Sequence, residues 1–125
     1  MGTNFYLHRP SCPHCKRTDP PIHIGKSSVG WTFIFRGYET DSPLGGSLVS
    51  FAAWRGALAI ELKEGATIQE DYGREISLTD FNMLVERLQD APNKTAAYMR
   101  ASYPNTRDRY WVDEAGYSFS DEEFS

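Results

Sequence analysis

The chain has 125 residues, of which 40% are hydrophobic, 14% aromatic and 24% charged. This composition is typical of a globular protein, and the length suits one compact domain. The net charge of −4 disfavours a protein that coats nucleic acid or membranes, because both functions need an excess of basic residues. The longest uncharged stretch, Ser42 to Trp54, is shorter than the ~20 apolar residues of a membrane-spanning helix.

The start of the chain predicts a cytoplasmic protein, because Met1 to Tyr6 shows no basic segment followed by an apolar run, as a secretory signal would. A short strand is predicted at Phe5 to Leu7. We expect one domain over residues 1–125. Residues 1–36 would form a zinc knuckle and the first strands, and residues 37–125 the helices and a C-terminal hairpin.

The next feature is a cluster of metal-binding residue types. Both cysteines and all three histidines lie in the sixteen residues from His8 to His23. In an intracellular protein a Cys-x-x-Cys pair is either a metal knuckle or a redox pair, and a redox pair belongs at the start of a helix. Because Pro20 and Pro21 follow closely, no helix of useful length begins there, and the knuckle is favoured.

Zinc takes four ligands in a tetrahedron, and thiolates with imidazoles are a common structural combination. The predicted zinc ligands are His8, Cys12, Cys15 and His23. His14 lies between the two cysteines and is expected to point away from the metal. In the alternative, His8 is a surface residue and Asp19 or a water molecule is the fourth ligand. Since protein side chains fill all four positions, the zinc is predicted to be structural and not catalytic.

A strand predicted at Ile22 to Ile24 leads into Gly25-Lys26-Ser27-Ser28. This string is similar to the end of a phosphate-binding loop, in which Lys and a hydroxyl contact the phosphate and its magnesium ion. The first glycine of that motif is missing, and a strand pattern follows where a helix would be needed, so a Walker-type nucleotide site is not expected. Two interpretations remain: a solvated turn, or an anion-binding loop of Lys26, Ser27 and Ser28.

The clearest strand and the first helix come next. Alternating large residues predict a strand at residues 29–38, with Trp31, Phe33 and Phe35 on one face. A helix should then begin after Ser47 or Ser50 as N-cap and end before Gly65. Its apolar positions at helical spacing are Phe51, Trp54, Leu58 and Leu62.

Residues 66–76 predict a strand, a tight turn containing Gly73 and a returning strand. Asp71, Tyr72 and Arg74 lie on this turn and are candidate interaction residues. An ion pair between Asp71 and Arg74 that only fixes the turn is the favoured alternative.

The second half of the chain predicts two more helices and a hairpin. Ser77 is a candidate N-cap with Asp80 three residues later, so a helix should begin there and end before Pro92. A short helix from Asn93 to Arg100 and a hairpin over residues 110–119 follow. The predicted fold is therefore α+β, with a small antiparallel sheet, an N-terminal zinc knuckle, two main helices and a C-terminal hairpin.

Charge is distributed unevenly along the chain. Residues 1–36 carry a net charge of +4, and the last thirteen residues carry −5. The acidic end is either a solvated tail or a surface for a basic partner. The candidate interaction residues in this part of the chain are Asp113, Glu114 and Tyr117.

Several segments together resemble a family of small proteins encoded by bacteriophages and prophages. These segments are the opening Met1 to Tyr6, the Cys-Pro-His-Cys knuckle, His23-Ile24-Gly25-Lys26-Ser27-Ser28 with Gly30-Trp31, residues 70–77 and residues 113–119. The resemblance implies a phage protein in the host cytoplasm and a bound zinc, and it carries over no catalytic residues. Members of the family often have glycine after the second knuckle cysteine, where this chain has Lys16, which makes the knuckle more basic.

Two classes of function follow from these observations. The first is a zinc-stabilised binding protein that acts on a host protein complex, with inhibition of a host defence system as its sharpest form. The alternative is a nucleotide-binding or phosphate-binding protein, or a small enzyme, that uses the Lys26-Ser27-Ser28 segment. Direct nucleic-acid binding through the basic N-terminal region is disfavoured, because the chain is acidic overall and shows no basic recognition helix.

Overall fold

The computed structural model describes residues 2–10, 20–39, 42–44, 46–102 and 109–121. The first half of the chain forms strands β1 (Gly2–His8), β2 (Ile22–Ser28) and β3 (Trp31–Arg36), helix α1 (Phe51–Lys63), and strands β4 (Thr67–Glu70) and β5 (Glu75–Ile76). The second half forms helices α2 (Leu78–Leu88) and α3 (Thr95–Ser102) and strands β6 (Tyr110–Val112) and β7 (Ser118–Ser120). The α+β class is confirmed.

The sheet is larger than the small antiparallel sheet that the sequence predicts. Its seven strands, all from described residues, lie in the order β5-β4-β1-β2-β3-β7-β6, and β3 pairs with β7 in parallel while the other neighbours are antiparallel. The sheet is larger than expected because both later hairpins join the N-terminal strands. In the β4–β5 hairpin, β4 pairs with β1 at one edge, and in the β6–β7 hairpin, β7 pairs with β3 at the other. Of the four predicted zinc ligands, Cys12 and Cys15 lie in residues 11–19, outside the described residues.

Helix α1 begins as its sequence predicts. The Ser50 hydroxyl accepts a hydrogen bond from the Ala53 backbone N–H at 3.1 Å, which caps the first turn. The helix buries Phe51, Trp54 and Leu58, and the Trp54 indole N–H donates to the Arg36 carbonyl oxygen at 2.9 Å. This last bond attaches α1 to the end of β3.

Helix α2 confirms its predicted cap, because the Ser77 hydroxyl accepts from the Asp80 backbone N–H at 3.1 Å. Its apolar side buries Phe81 and Val85. Helix α3 is the predicted short helix, displaced by two residues from the expected range, and the predicted C-terminal hairpin is confirmed as β6 and β7.

The two faces of the sheet carry different side chains. Helices α1 and α2 cover one face, where a fully buried aromatic cluster includes Phe33, Phe35, Phe81 and Phe119. Helix α3 lies over the other face at β3, β6 and β7, where Ile34, Ala96 and Tyr110 form a smaller cluster. We call this second face the α3 face.

Candidate functional site

The antiparallel pairing of β1 and β2 brings the two predicted histidine ligands to one end of the sheet. Tyr6 lies opposite His23, and strand alternation therefore places His8 diagonal to His23 on the same face. The segment that joins the two strands contains Cys12 and Cys15, which lie outside the described residues, as does Asp19. We call the end of the sheet at His8 and His23 the histidine end.

The contacts of His23 fit a zinc ligand. Its Nε2 atom lies 2.9 Å from the Asn4 side-chain oxygen, and its ring centroid lies 5.2 Å from that of Tyr6. An amide oxygen accepts hydrogen bonds, so in this contact His23 donates from Nε2 to Asn4. A zinc-bound histidine commonly donates its other N–H to an oxygen in this way. Within the described ranges, no three metal-ligating side chains come together.

Asn4 connects His23 to the turn between β4 and β5. Asp71 Oδ2 accepts hydrogen bonds from the Asn4 backbone N–H at 2.9 Å and from its side-chain amide at 3.4 Å. The predicted ion pair between Asp71 and Arg74, two described residues, is therefore wrong. Asn4 is 6% exposed, and satisfying a buried N–H outweighs the small gain from an exposed ion pair.

The turn between β4 and β5 presents an exposed aromatic ring on an ordered backbone. Tyr72 is 88% exposed. The turn is closed by backbone hydrogen bonds from Gly73 to Glu70 at 2.8 Å and from Glu70 to Arg74 at 3.0 Å, and Gly73 adopts a positive φ of 80° that favours glycine. Of the three residues predicted here, Tyr72 and Arg74 are exposed on the surface and Asp71 is bonded to Asn4.

The predicted anion-binding residues lie in strand β2 and not in a loop, which corrects the sequence prediction. The β pattern that begins at Ile22 continues to Ser28 because β1 and β3 pair with it on both sides. Lys26 pairs with Ile34, and Ser28 pairs with Trp31. Lys26 and Ser28 line a cavity on the α3 face, and Ser27 is not part of its lining.

This cavity, which we call the Trp31 cleft, lies between α3 and strands β2 and β3. Its volume is about 440 Å³. The apolar lining consists of Val29, Trp31, Ile34, Tyr98, Met99 and Tyr110. The prediction that Trp31 shares a face with Phe33 and Phe35 is therefore wrong, and the pairing of β2 with β3 is irregular beside Trp31. The Trp31 and Tyr98 rings meet edge to face with centroids 4.9 Å apart. An apolar and aromatic cavity with a few polar groups is the usual form of a small-molecule site.

The base of the Trp31 cleft is a set of hydroxyl groups bonded to each other. The Thr95 hydroxyl donates to the Thr32 carbonyl oxygen at 2.7 Å, and the Thr32 and Ser118 hydroxyls lie 3.1 Å apart. The backbone N–H groups of Thr95 and Ala96 donate to the hydroxyls of Thr32 and Ser118. These bonds attach the start of α3 to the sheet and fix one wall of the cleft.

Two of the three predicted residues in the C-terminal hairpin are structural. The Asp113 carboxylate accepts from the backbone N–H of Phe51 at 2.8 Å, of Ala115 at 3.0 Å and of Tyr117 at 2.9 Å. The Tyr117 ring lies 4.6 Å from that of Phe51, and burial raises the pKa of its phenol. Asp113 and Tyr117 thus hold the hairpin against α1, and Glu114 is exposed beside them.

Sequence reasoning missed most of the Trp31 cleft and the role of Asn4. Trp31 and Tyr98 are far apart in the chain, and no local pattern shows that a short helix crosses the α3 face. Alternation from Ile22 would place Lys26 and Ser28 on the core face with Ile24, and the irregular pairing of β1 with β2 after Phe5 instead puts them on the α3 face.

Comparison with known proteins gives no assignment: no family model, no curated protein and no solved structure matches the chain. Among the described residues, no helix combines the length and the hydropathy needed to cross a membrane.

Proposed function

We propose that the chain is a zinc-stabilised binding protein that acts on a host protein complex in the host cytoplasm. In the most specific version of this proposal, the chain inhibits a host defence complex. The observation that carries this proposal is the position of two exposed turns. β1 is antiparallel to both β2 and β4, so the turn at Val29 and the turn at Tyr72 lie at the same end of the sheet, opposite the histidine end. We call it the turn end.

The turn end has the chemistry of a protein-binding surface. Val29 is 95% exposed and Tyr72 is 88% exposed, and Arg74 lies beside Tyr72. Tyrosine and arginine are enriched among the residues that dominate binding energy at interfaces. Because Tyr72 stands on a closed turn tied to β1 through Asp71, holding its backbone in place for a partner costs little additional entropy.

Zinc would act at the opposite end. Bound by His8, Cys12, Cys15 and His23, it would hold the connection between β1 and β2 in one conformation. The Arg9 guanidinium already binds the Glu61 carboxylate of α1 at 2.7 Å, next to the start of that connection. A closed four-ligand sphere supplies stability and no open position for substrate.

The test uses tagged chain expressed in host cells, with quantitative mass spectrometry of the proteins that co-precipitate. A host protein recovered with wild type should be lost with Tyr72→Ala and kept with Met83→Ala, which removes another exposed apolar side chain from α2. Lys26→Ala should leave this recovery nearly intact. Equal recovery with Tyr72→Ala and wild type would contradict the proposal.

A second candidate function, binding of a small phosphate-bearing ligand, is favoured by the place of Lys26 and Ser28 in the Trp31 cleft. A ligand that binds only the folded chain raises its Tm by mass action. No shift in Tm with millimolar phosphate compounds would remove this candidate.

A further inference from the structure

The lining of the Trp31 cleft contains aromatic side chains and the Lys26 ammonium, and these two features indicate which kind of ligand it would bind. We propose that the cleft binds a planar aromatic ring that carries an anionic group, either a phosphate or a carboxylate. This inference deepens the phosphate-binding candidate and does not depend on the host partner or on zinc.

The apolar lining is suited to a flat ring. Tyr98 is 50% exposed, and its ring meets Trp31 edge to face, so aromatic side chains from α3 and β3 border the same opening. Aromatic rings prefer offset-stacked or edge-to-face contacts, which both of these side chains offer to a ligand. A volume of about 440 Å³ falls within the range of small-molecule sites.

The polar lining is suited to one anionic group. The hydroxyls of Thr32 and Thr95 are engaged with each other and with the backbone at the base of the cleft. Lys26 and Ser28 bring an ammonium and a hydroxyl to the lining, and both kinds of group donate hydrogen bonds to oxyanions. The lining also contains the phenols of Tyr98 and Tyr110 and the indole N–H of Trp31.

The backbone of β1 leaves room for these two side chains. Gly2 pairs with Ser28, and a Cβ at Gly2 would lie within 3.0 Å of the Lys26 Cε and the Ser28 Oγ. Any side chain at this position would displace both groups. The absence of a side chain at residue 2 is thus part of how β1 and β2 present the cation and the hydroxyl to the cleft.

A nucleic-acid strand is a poorer occupant, because tracking a phosphate backbone requires a row of cations, and Lys26 is the only cation in the described lining. A single ring with one anionic group needs only one cation.

The experiment is isothermal titration of the full chain with four probes. AMP has a ring and a phosphate, indole-3-acetate has a ring and a carboxylate, adenosine has only the ring, and inorganic phosphate only the anion. We expect AMP or indole-3-acetate to bind about tenfold more tightly than adenosine or phosphate, since a charge-assisted hydrogen bond is among the stronger polar contacts.

Variants test where the probe binds. Lys26→Ala and Ser28→Ala should lower the affinity for the more tightly bound of AMP and indole-3-acetate to about the affinity for adenosine. Ser27→Ala and Lys63→Ala are matched controls outside the cleft and should leave the affinity unchanged. Tyr98→Ala should weaken every probe that contains a ring. The Tm of each variant shows that it is folded.

Three outcomes would overturn the inference. If inorganic phosphate binds as tightly as AMP, the phosphate-binding candidate stands and the ring is not recognised. If no probe binds at millimolar concentration, the phosphate-binding candidate and the ring-and-anion proposal are both wrong. If Ser27→Ala weakens binding as much as Ser28→Ala, the probe binds outside the Trp31 cleft.

Discussion

The histidine end and the turn end of the sheet are built from the same strands but are stabilised by different means. At the turn end, the β4–β5 turn closes with its own backbone hydrogen bonds and is tied to β1 through Asp71 and Asn4. At the histidine end, β1 and β2 are joined by residues 9–21, a connection too long for a tight hairpin turn. A long connection has a larger conformational entropy to lose, so a metal contributes most there.

The two ends of the sheet are suited to different purposes. A surface that presents Tyr72 on a locally closed turn can bind a partner without a metal. Under the zinc proposal, the long connection that contains both cysteines would gain its order from the metal. The Asn4 bridge between His23 and Asp71 is the link by which one end could influence the other.

The largest expected effect is at the predicted knuckle. Cys12→Ser should abolish zinc binding and lower the free energy of unfolding by about 3 kcal/mol or more, because structural zinc contributes its binding energy to folding. For a chain of this size that lowers Tm by roughly 10 °C. Metal analysis and thermal unfolding by circular dichroism measure both, with His14→Ala as the matched control. If the Cys12→Ser protein still binds zinc and is as stable as wild type, the predicted zinc site is wrong.

A smaller effect is expected at the bridge between the two ends. Asp71→Ala leaves the buried Asn4 N–H without its acceptor, which should cost about 1–3 kcal/mol. If Asn4 orients His23 as a zinc ligand, zinc affinity should also fall by about tenfold or more, as competition with a chromophoric chelator would show. Asp90→Ala, an exposed carboxylate at the end of α2, is the control. Unchanged zinc affinity in Asp71→Ala would show that the ends are independent.

The smallest effect concerns alkaline pH. Burial raises the pKa of Tyr117, with further contributions from the charges of Glu86 and Asp113, above the ordinary value of 10.0. The unfolded chain therefore releases this proton more readily than the folded chain, so stability that is complete below about pH 10 is lost as the pH rises through the folded pKa.

Tyr117→Phe should reduce this loss of stability, measured as the slope of urea midpoints between neutral and alkaline pH. Tyr72→Phe is the control, because the Tyr72 ring is exposed. If Tyr117→Phe leaves the dependence of the urea midpoint on pH unchanged, as Tyr72→Phe should, then Tyr117 is not the source of the loss of stability.

Local signals predicted the helices well and the assembly of the sheet poorly. Ser50 and Ser77 cap their helices through contacts within three residues, which the sequence shows directly. The parallel pairing of β3 with β7 joins residues more than eighty positions apart, and no periodicity reveals it. The same limit applies to the site: the turn of Asp71 was predicted, but its hydrogen bond to Asn4 depends on which strand lies beside β4.

Native mass spectrometry of the chain recovered from host cells counts zinc and bound protein in the same particle, so it examines the zinc site and the binding surface together. We predict one zinc per chain with a bound host protein for wild type, and one zinc per chain without that protein for Tyr72→Ala. A wild-type chain that carries no zinc, or a Tyr72→Ala chain that keeps the host protein, would contradict the account.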